Sequence, residues 1–277
     1  MKKLCYVIVL GLFVSGNALG QESKIPIIKA EVIKEQIMFQ RTVWRRMDLK
    51  EKQNMPFFSK NGEISKLLLE AVDAGLLKPY MTDSTLNLMP EETFKERTSV
   101  ERQGGGFGGG FGGGFGDETA SSEPKGAQFD PIPKDIFDVL YFKEELIFDK
   151  NRSRMYWYIR TVTVALPGRA GSLYNPAGFE SKIAHFKYED VVALFRGPYS
   201  DRAIWYNGQN QAAHRNFGDA LELRLFSAPI VQVSNAQNLD VRQIVGSREG
   251  SEPYDNLLLQ QKLEYDLMEY ESELWEY

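Results

Sequence analysis

Cysteine is almost missing from this chain of 277 residues: Cys5 is the only one, and it falls in the apolar run that opens the sequence. Histidine is nearly as scarce, with His185 and His214 alone. They share no metal-ligand spacing and have no cysteine to join them, so a tetrahedral zinc site lacks its ligands. No Gly-x-Ser-x-Gly or His-Glu-x-x-His pattern is present, which leaves hydrolytic chemistry without those signatures. An excess of positive charge is missing too. The 33 Lys and Arg against 38 Asp and Glu give a net charge of −5, the wrong sign for neutralising nucleic-acid phosphates. Acidic pairs do occur, at Glu144-Glu145 and Glu189-Asp190. Adjacent side chains point apart on a strand or helix, so these pairs read as solvated charge and not as a general acid and base. The expectation is a protein with no catalytic residues, no metal and no cofactor.

What is present begins with an export signal. Lys2 and Lys3 precede the apolar stretch Leu4 to Val14, and Ala18-Leu19-Gly20 forms a small-x-small cleavage site. Residues 1–20 therefore read as a signal peptide, too short to remain as a membrane anchor. Cleavage before Gln21 discards Cys5 and leaves a secreted chain without disulfides. Losing Lys2 and Lys3 also moves the net charge to −7. That charge is uneven. Lys24 to Asn54 holds eight basic and four acidic residues, whereas Pro253 to Tyr277 holds only Lys262 against seven carboxylates. The chain has a basic head and an acidic tail.

Residues 21–97 read as an N-terminal arm and helical region. Val32, Ile33, Ile37 and Val43 suggest an extended arm running into a helix. On such a helix Trp44 and Met47, at i and i+3, would pack inward. Ile64, Leu67, Leu68, Ala71 and Val72 mark a helix over Asn61 to Leu77, with Asn61 as N-cap and Gly75 as its stop. Residues 98–134 read as a flexible linker or loop around the Gly-Gly-Gly-Phe repeats of Gly104 to Gly116. The tract is no phosphate loop, since no Gly-Lys-Ser/Thr follows it.

Residues 135–277 read as an α+β body. Phe137–Phe148 and Met155–Leu166 are rich in aromatic and β-branched residues and flank Asp149-Lys150-Asn151-Arg152-Ser153, which makes a β-hairpin. Strict alternation puts Met155, Trp157, Ile159, Thr161 and Thr163 on one face, and Tyr156, Tyr158, Arg160, Val162 and Val164 on the other. Helices are expected at Tyr188–Phe195 and His214–Phe226, and a strand at Ala228–Val233. A long acidic helix opens at Pro253, with Leu259, Leu263, Leu267, Tyr270 and Leu274 in one stripe over about 37 Å. Its acidic end opposes the helix dipole, a defect that a basic partner would repair. The expected fold is α+β: a small mixed or antiparallel sheet around a central hairpin, packed with three to five helices.

Trp44, Arg45, Arg46, Asp48, Lys50, Glu51 and Lys52 have two readings. They form the solvated face of a surface element, or an interface in which Trp and Arg supply the binding energy. Glu271, Glu273 and Trp275 share that choice. Together these ten residues are the candidate interface.

Four blocks carry a resemblance. Arg-Thr-Val-Trp-Arg-Arg-Met-Asp-Leu-Lys-Glu-Lys-Gln-Asn from Arg41 and Phe-Lys-Glu-Glu-Leu-Ile-Phe-Asp-Lys-Asn-Arg-Ser-Arg-Met from Phe142 are the strongest. Trp205–Phe226 and Asp266–Tyr277 follow in the same order. Together they resemble the GldN/PorN family of Bacteroidetes, with Leu146 replacing a usual aromatic and the glycine-rich insert peculiar to this chain. The resemblance implies a non-enzymatic structural subunit of a periplasmic ring at the outer membrane, serving type IX secretion and gliding motility. It implies a GldK/PorK-type lipoprotein and the periplasmic part of a GldM/PorM-type motor as partners, self-association in the ring, and only indirect membrane contact. A second reading is a monomeric periplasmic peptide- or glycan-binding module, with Tyr156, Trp157, Tyr158, Trp205 and Tyr206 as a platform.

Overall fold

The computed structural model describes residues 31–101, 129–248, 250 and 252–275. The expected signal segment 1–20 and the glycine-rich tract 104–116 lie outside the described residues. A five-stranded antiparallel sheet organises the rest. Its strands are β1 (Ile37–Asp48), β4 (Val139–Asp149), β5 (Arg154–Leu166), β6 (Ser181–Lys187) and β9 (Ile230–Val233), in spatial order β6-β5-β4-β1-β9. Two small ribbons, β2 (Ser99–Glu101) with β3 (Phe129–Pro131) and β7 (Ile204–Trp205) with β8 (Arg215–Asn216), lie outside it. Six α-helices are found among the described residues: α1 (Ile64–Asp73), α2 (Glu91–Arg97), α3 (Tyr188–Arg196), α4 (Phe217–Glu222), α5 (Val241–Gly246) and α6 (Pro253–Trp275). The fold is α+β, as the sequence implies.

The hairpin forms where expected, from β4 and β5. Its turn is locked by Asp149, whose Oδ1 accepts the backbone N–H groups of Asn151 at 2.9 Å and Arg152 at 3.3 Å. Strict alternation along β5 fails, however. A bulge lets Ile159 face Glu144 and Thr161 face Lys143, leaving Arg160 as the extra residue. The bulge returns Val162 and Val164 to the face of Ile159, and all three enter one hydrophobic cluster. Thr161 and Thr163 turn the other way, to Asp83 and His185.

The arm before Val43 does not run into a helix. Residues Ile37–Asp48 are a strand, paired along β4 on one side and briefly with β9 on the other. Thr42, Val43 and Trp44 favour the pleated surface, and the ladder to β4 settles the matter against the i, i+3 pattern. Val43, Arg45 and Met47 therefore share one face, and Trp44, Arg46 and Asp48 the other. Helix α1 starts later than Asn61. That residue sits in the left-handed region at φ 66°, and Glu63 holds the N-cap position without a side-chain cap. Gly75 does stop α1. At φ 70° its N–H reaches Val72 O and the N–H of Leu76 reaches Ala71 O, a pair of closing bonds that a left-handed residue permits. Helix α4 is also shorter than His214–Phe226, because Arg215 and Asn216 are taken by β8.

One sheet face carries two cores. Helices α1, α3 and α4 cover Met47, Leu140, Phe142, Val162 and Val164 at one end. Helix α6 covers Val43, Leu146, Phe148 and Met155 at the other, through Leu263, Leu267 and Leu274. Tyr270 adds a tilted ring contact to Phe39 at 4.7 Å. The stripe expected on the C-terminal helix is the seated face of α6.

Candidate interaction surface

The block around Trp44 is the centre of three internal networks. On the inward face, Arg45 lies at the seam between the two cores. Its Nε donates to Glu144 Oε2 at 3.0 Å, and its Nη1 donates to Ala228 O at 2.8 Å and to Glu264 Oε1 of α6 at 3.0 Å. Arg224 completes the cluster, with Nη1 and Nη2 donating to Glu144 at 2.8 and 3.2 Å. Both guanidinium groups stack on the Trp157 ring, at 4.8 and 5.1 Å from its centroid. Glu144 is fully buried, which corrects its reading as solvated charge. The signal was there in the period of β4. Leu140, Phe142, Glu144, Leu146 and Phe148 alternate inward, and a carboxylate at such a position needs a partner to be buried at all.

On the opposite face, Trp44 Nε1–H donates to Asp83 Oδ2 at 2.7 Å, and the Lys143 ammonium lies 5.6 Å from the Trp44 ring. Burial opposes ionisation of Asp83. The Trp44 bond and the Lys143 charge outweigh it and hold this carboxyl below its ordinary range. Arg46 donates from Nε to Glu180 at 2.8 Å, and Tyr141 donates its hydroxyl to the same carboxylate. Asp48 receives both Nη1 and Nη2 of Arg169, each at 2.7 Å. Burial again opposes ionisation, and this bidentate pair prevails, so the Asp48 carboxyl is also lowered. Buried Asp138 is shared by Arg169 at 3.0 Å and Lys50 at 2.7 Å.

Beyond β1 the chain turns outward. Glu51 and Lys52 are exposed, and buried Asn54 fixes the turn beneath them. Its amide donates to Asp48 O and Ser227 O, both at 2.8 Å, and its Oδ1 accepts Ser227 N at 2.8 Å. At the far end of the chain Glu273 and Trp275 are exposed and Glu271 is half-buried. The structure thus divides the ten candidates. Arg45, Arg46, Asp48 and Trp44 work inside the fold, Lys50 bridges to Asp138, Glu271 is half-buried on α6, and Glu51, Lys52, Glu273 and Trp275 face out. The basic head and acidic tail meet within one chain, at Arg45–Glu264. Glu144, Arg224, Arg169, Glu180 and Asn54 were missed by sequence reasoning. Apart from the inward position of Glu144, their partners lie too far along the chain for spacing to reveal them.

The aromatic platform does not assemble. Tyr156 and Tyr158 pack with Val32 and Ile147 on one side of the sheet, whereas Trp157 lies under α6. Trp205 packs against the main core, and Tyr206 stacks on His214 at 4.8 Å. His185 is buried, with Nδ1 2.7 Å from the Thr163 hydroxyl. Burial pushes its pKa down to about 4, against Asp83 and with help from Lys182, Arg97 and Lys143. Among the described residues no three His, Cys, Asp or Glu side chains group as metal ligands do, and no helix is long and apolar enough to cross a membrane. A groove of about 570 Å³ runs between α6 and the sheet, bordered by Arg45, Trp157, Arg224, Tyr265 and Met268.

Compared with known families, the chain matches the family model described as Gliding motility associated protein GldN over residues 32–276. No curated protein matches it.

Proposed function

The chain belongs to the GldN family of gliding motility associated proteins, and from that premise we propose that it is a non-enzymatic structural subunit of a periplasmic ring beneath the outer membrane, serving type IX protein secretion. The family match over residues 32–276, nearly the whole of the chain, carries this reading. The ion-pair networks support it by tying β1 to β4 and α6, and β4 to Arg224 beyond α4, which makes a stiff block suited to repeated packing. A ring needs two different patches on each subunit, one meeting the other on its neighbour. The turn bearing Glu51 and Lys52 and the end of α6 bearing Glu273 and Trp275 are two such patches. The partners in this reading are a GldK/PorK-type lipoprotein, the periplasmic part of a GldM/PorM-type motor, and further copies of the chain.

The test is sedimentation of detergent-extracted membranes from cells carrying Lys52→Glu or Trp275→Ser. Both positions are exposed, so both variants should melt as the unmodified protein does. We expect ring-sized particles from the unmodified protein and a shift toward small species in at least one variant. Normal particles from both would remove these patches from the interface. Absence of any large particle from the unmodified protein would overturn the ring itself.

A further inference from the structure

Helix α6 carries large apolar residues on two faces, and only one is seated. On the outer face Tyr254, Leu258, Tyr265, Met268 and Trp275 recur, and Gln261 and Ser272 fill the two gaps in the series. The steps then alternate four and three without interruption, which is the spacing of a coiled-coil seam. These side chains are open to solvent: Tyr254 is 60%, Leu258 45%, Tyr265 66%, Met268 56% and Trp275 60% exposed. A stripe of this length on the solvent side of a helix is an unfilled contact surface.

Charge indicates what fills it. The positions flanking this seam are Leu257, Lys262 as the one cation, and the carboxylates Asp255, Glu264, Glu269 and Glu271, of which Glu264 is already shared with Arg45. A parallel second copy of α6 would set these carboxylates against one another, Glu264 facing Glu269. The last turn also holds no basic residue to answer the helix dipole. Both features favour a basic neighbour. We propose that the outer face of α6 docks an amphipathic helix of a partner protein, apolar along its own 3.5-residue seam and rich in Lys or Arg at its flanks. The proposal rests on the assembly reading above and specifies the chemistry of one partner.

The probe is a synthetic helix of about three heptads with Leu along the seam and Lys at the flanks, titrated against the whole chain. Saturable binding that weakens as salt rises is expected, and a Glu-flanked version should bind at least about tenfold more weakly. Tyr265→Ser with Met268→Ser should weaken the Lys-flanked helix by about tenfold or more at unchanged melting temperature. Leu86→Ser, at an 81% exposed position away from α6, should leave binding unchanged. Equal binding of both helices overturns the proposal. So does binding indifferent to the double variant, or a dimer of the chain alone that this variant dissociates. A chain that binds the Lys-flanked helix but forms no ring-sized particle keeps this proposal and overturns the ring. A chain that forms such particles and ignores the helix does the reverse.

Discussion

Glu144 should be among the most costly single positions to change in this protein. Its carboxylate is fully buried and receives three hydrogen bonds, one from Arg45 and two from Arg224. Glu144→Ala takes the buried carboxylate from Arg224 and leaves Arg45 with only Glu264 and Ala228 O between the two cores. Removing one partner of such a cluster costs about 3–5 kcal/mol. For a domain of this size each kcal/mol moves the melting temperature by about 2–4 °C, so the drop should be about 6–20 °C. Replacing the whole cluster, as Glu144→Leu with Arg45→Met and Arg224→Met, should recover most of that loss, because no buried charge is then left over. Recovery should be incomplete. Ala228 O loses its Arg45 donor at a cost of about 1–3 kcal/mol, while Glu264 is open enough to rehydrate. Urea unfolding followed by tryptophan fluorescence suits the measurement, because Trp157 lies against both arginines and reports their loss. A Glu144→Ala protein within about 1 kcal/mol of the original, or a triple variant as unstable as the single one, would refute the reasoning.

Other outcomes follow from the same geometry. His185 is held neutral, with a pKa near 4 against an ordinary 6.5, so it stabilises the fold above pH 6.5. That contribution, about 3 kcal/mol, is lost as the pH falls from 6.5 through 4, because the unfolded chain takes up the proton first. His185→Gln should flatten the fall in melting temperature between pH 7 and 4, and parallel profiles would contradict this. At neutral pH the same variant, and His214→Ala, should support gliding wherever the protein stays folded. Deleting Gly104 to Gly116 should leave the melting temperature nearly unchanged. The strands flanking residues 102–128 pair with Glu101 opposite Phe129, and halving the length of a loop with anchored ends is worth only about 0.6 kcal/mol. A large loss on deletion would show that the tract packs on the body.

The sequence by itself determined what is written in short-range pattern. The hairpin of β4 and β5 follows from two aromatic, β-branched runs around an Asp-Lys-Asn-Arg-Ser turn, and α6 from a stripe of leucines behind Pro253. The family was legible in four ordered blocks. Tertiary structure alone decided the rest. Whether Ile37–Asp48 became strand or helix depended on the β4 ladder, with Trp44 opposite Lys143 across 99 residues of chain. The bulge at Arg160 reset which residues of β5 face the core. Which charges of the Trp44 block face water depended on Glu144, Glu180, Arg169 and Glu264, each far along the chain. The physical reason is range. Period and turn chemistry act over a few residues and leave their mark in order, whereas the pairing of buried charges is fixed by which strands and helices come together in space.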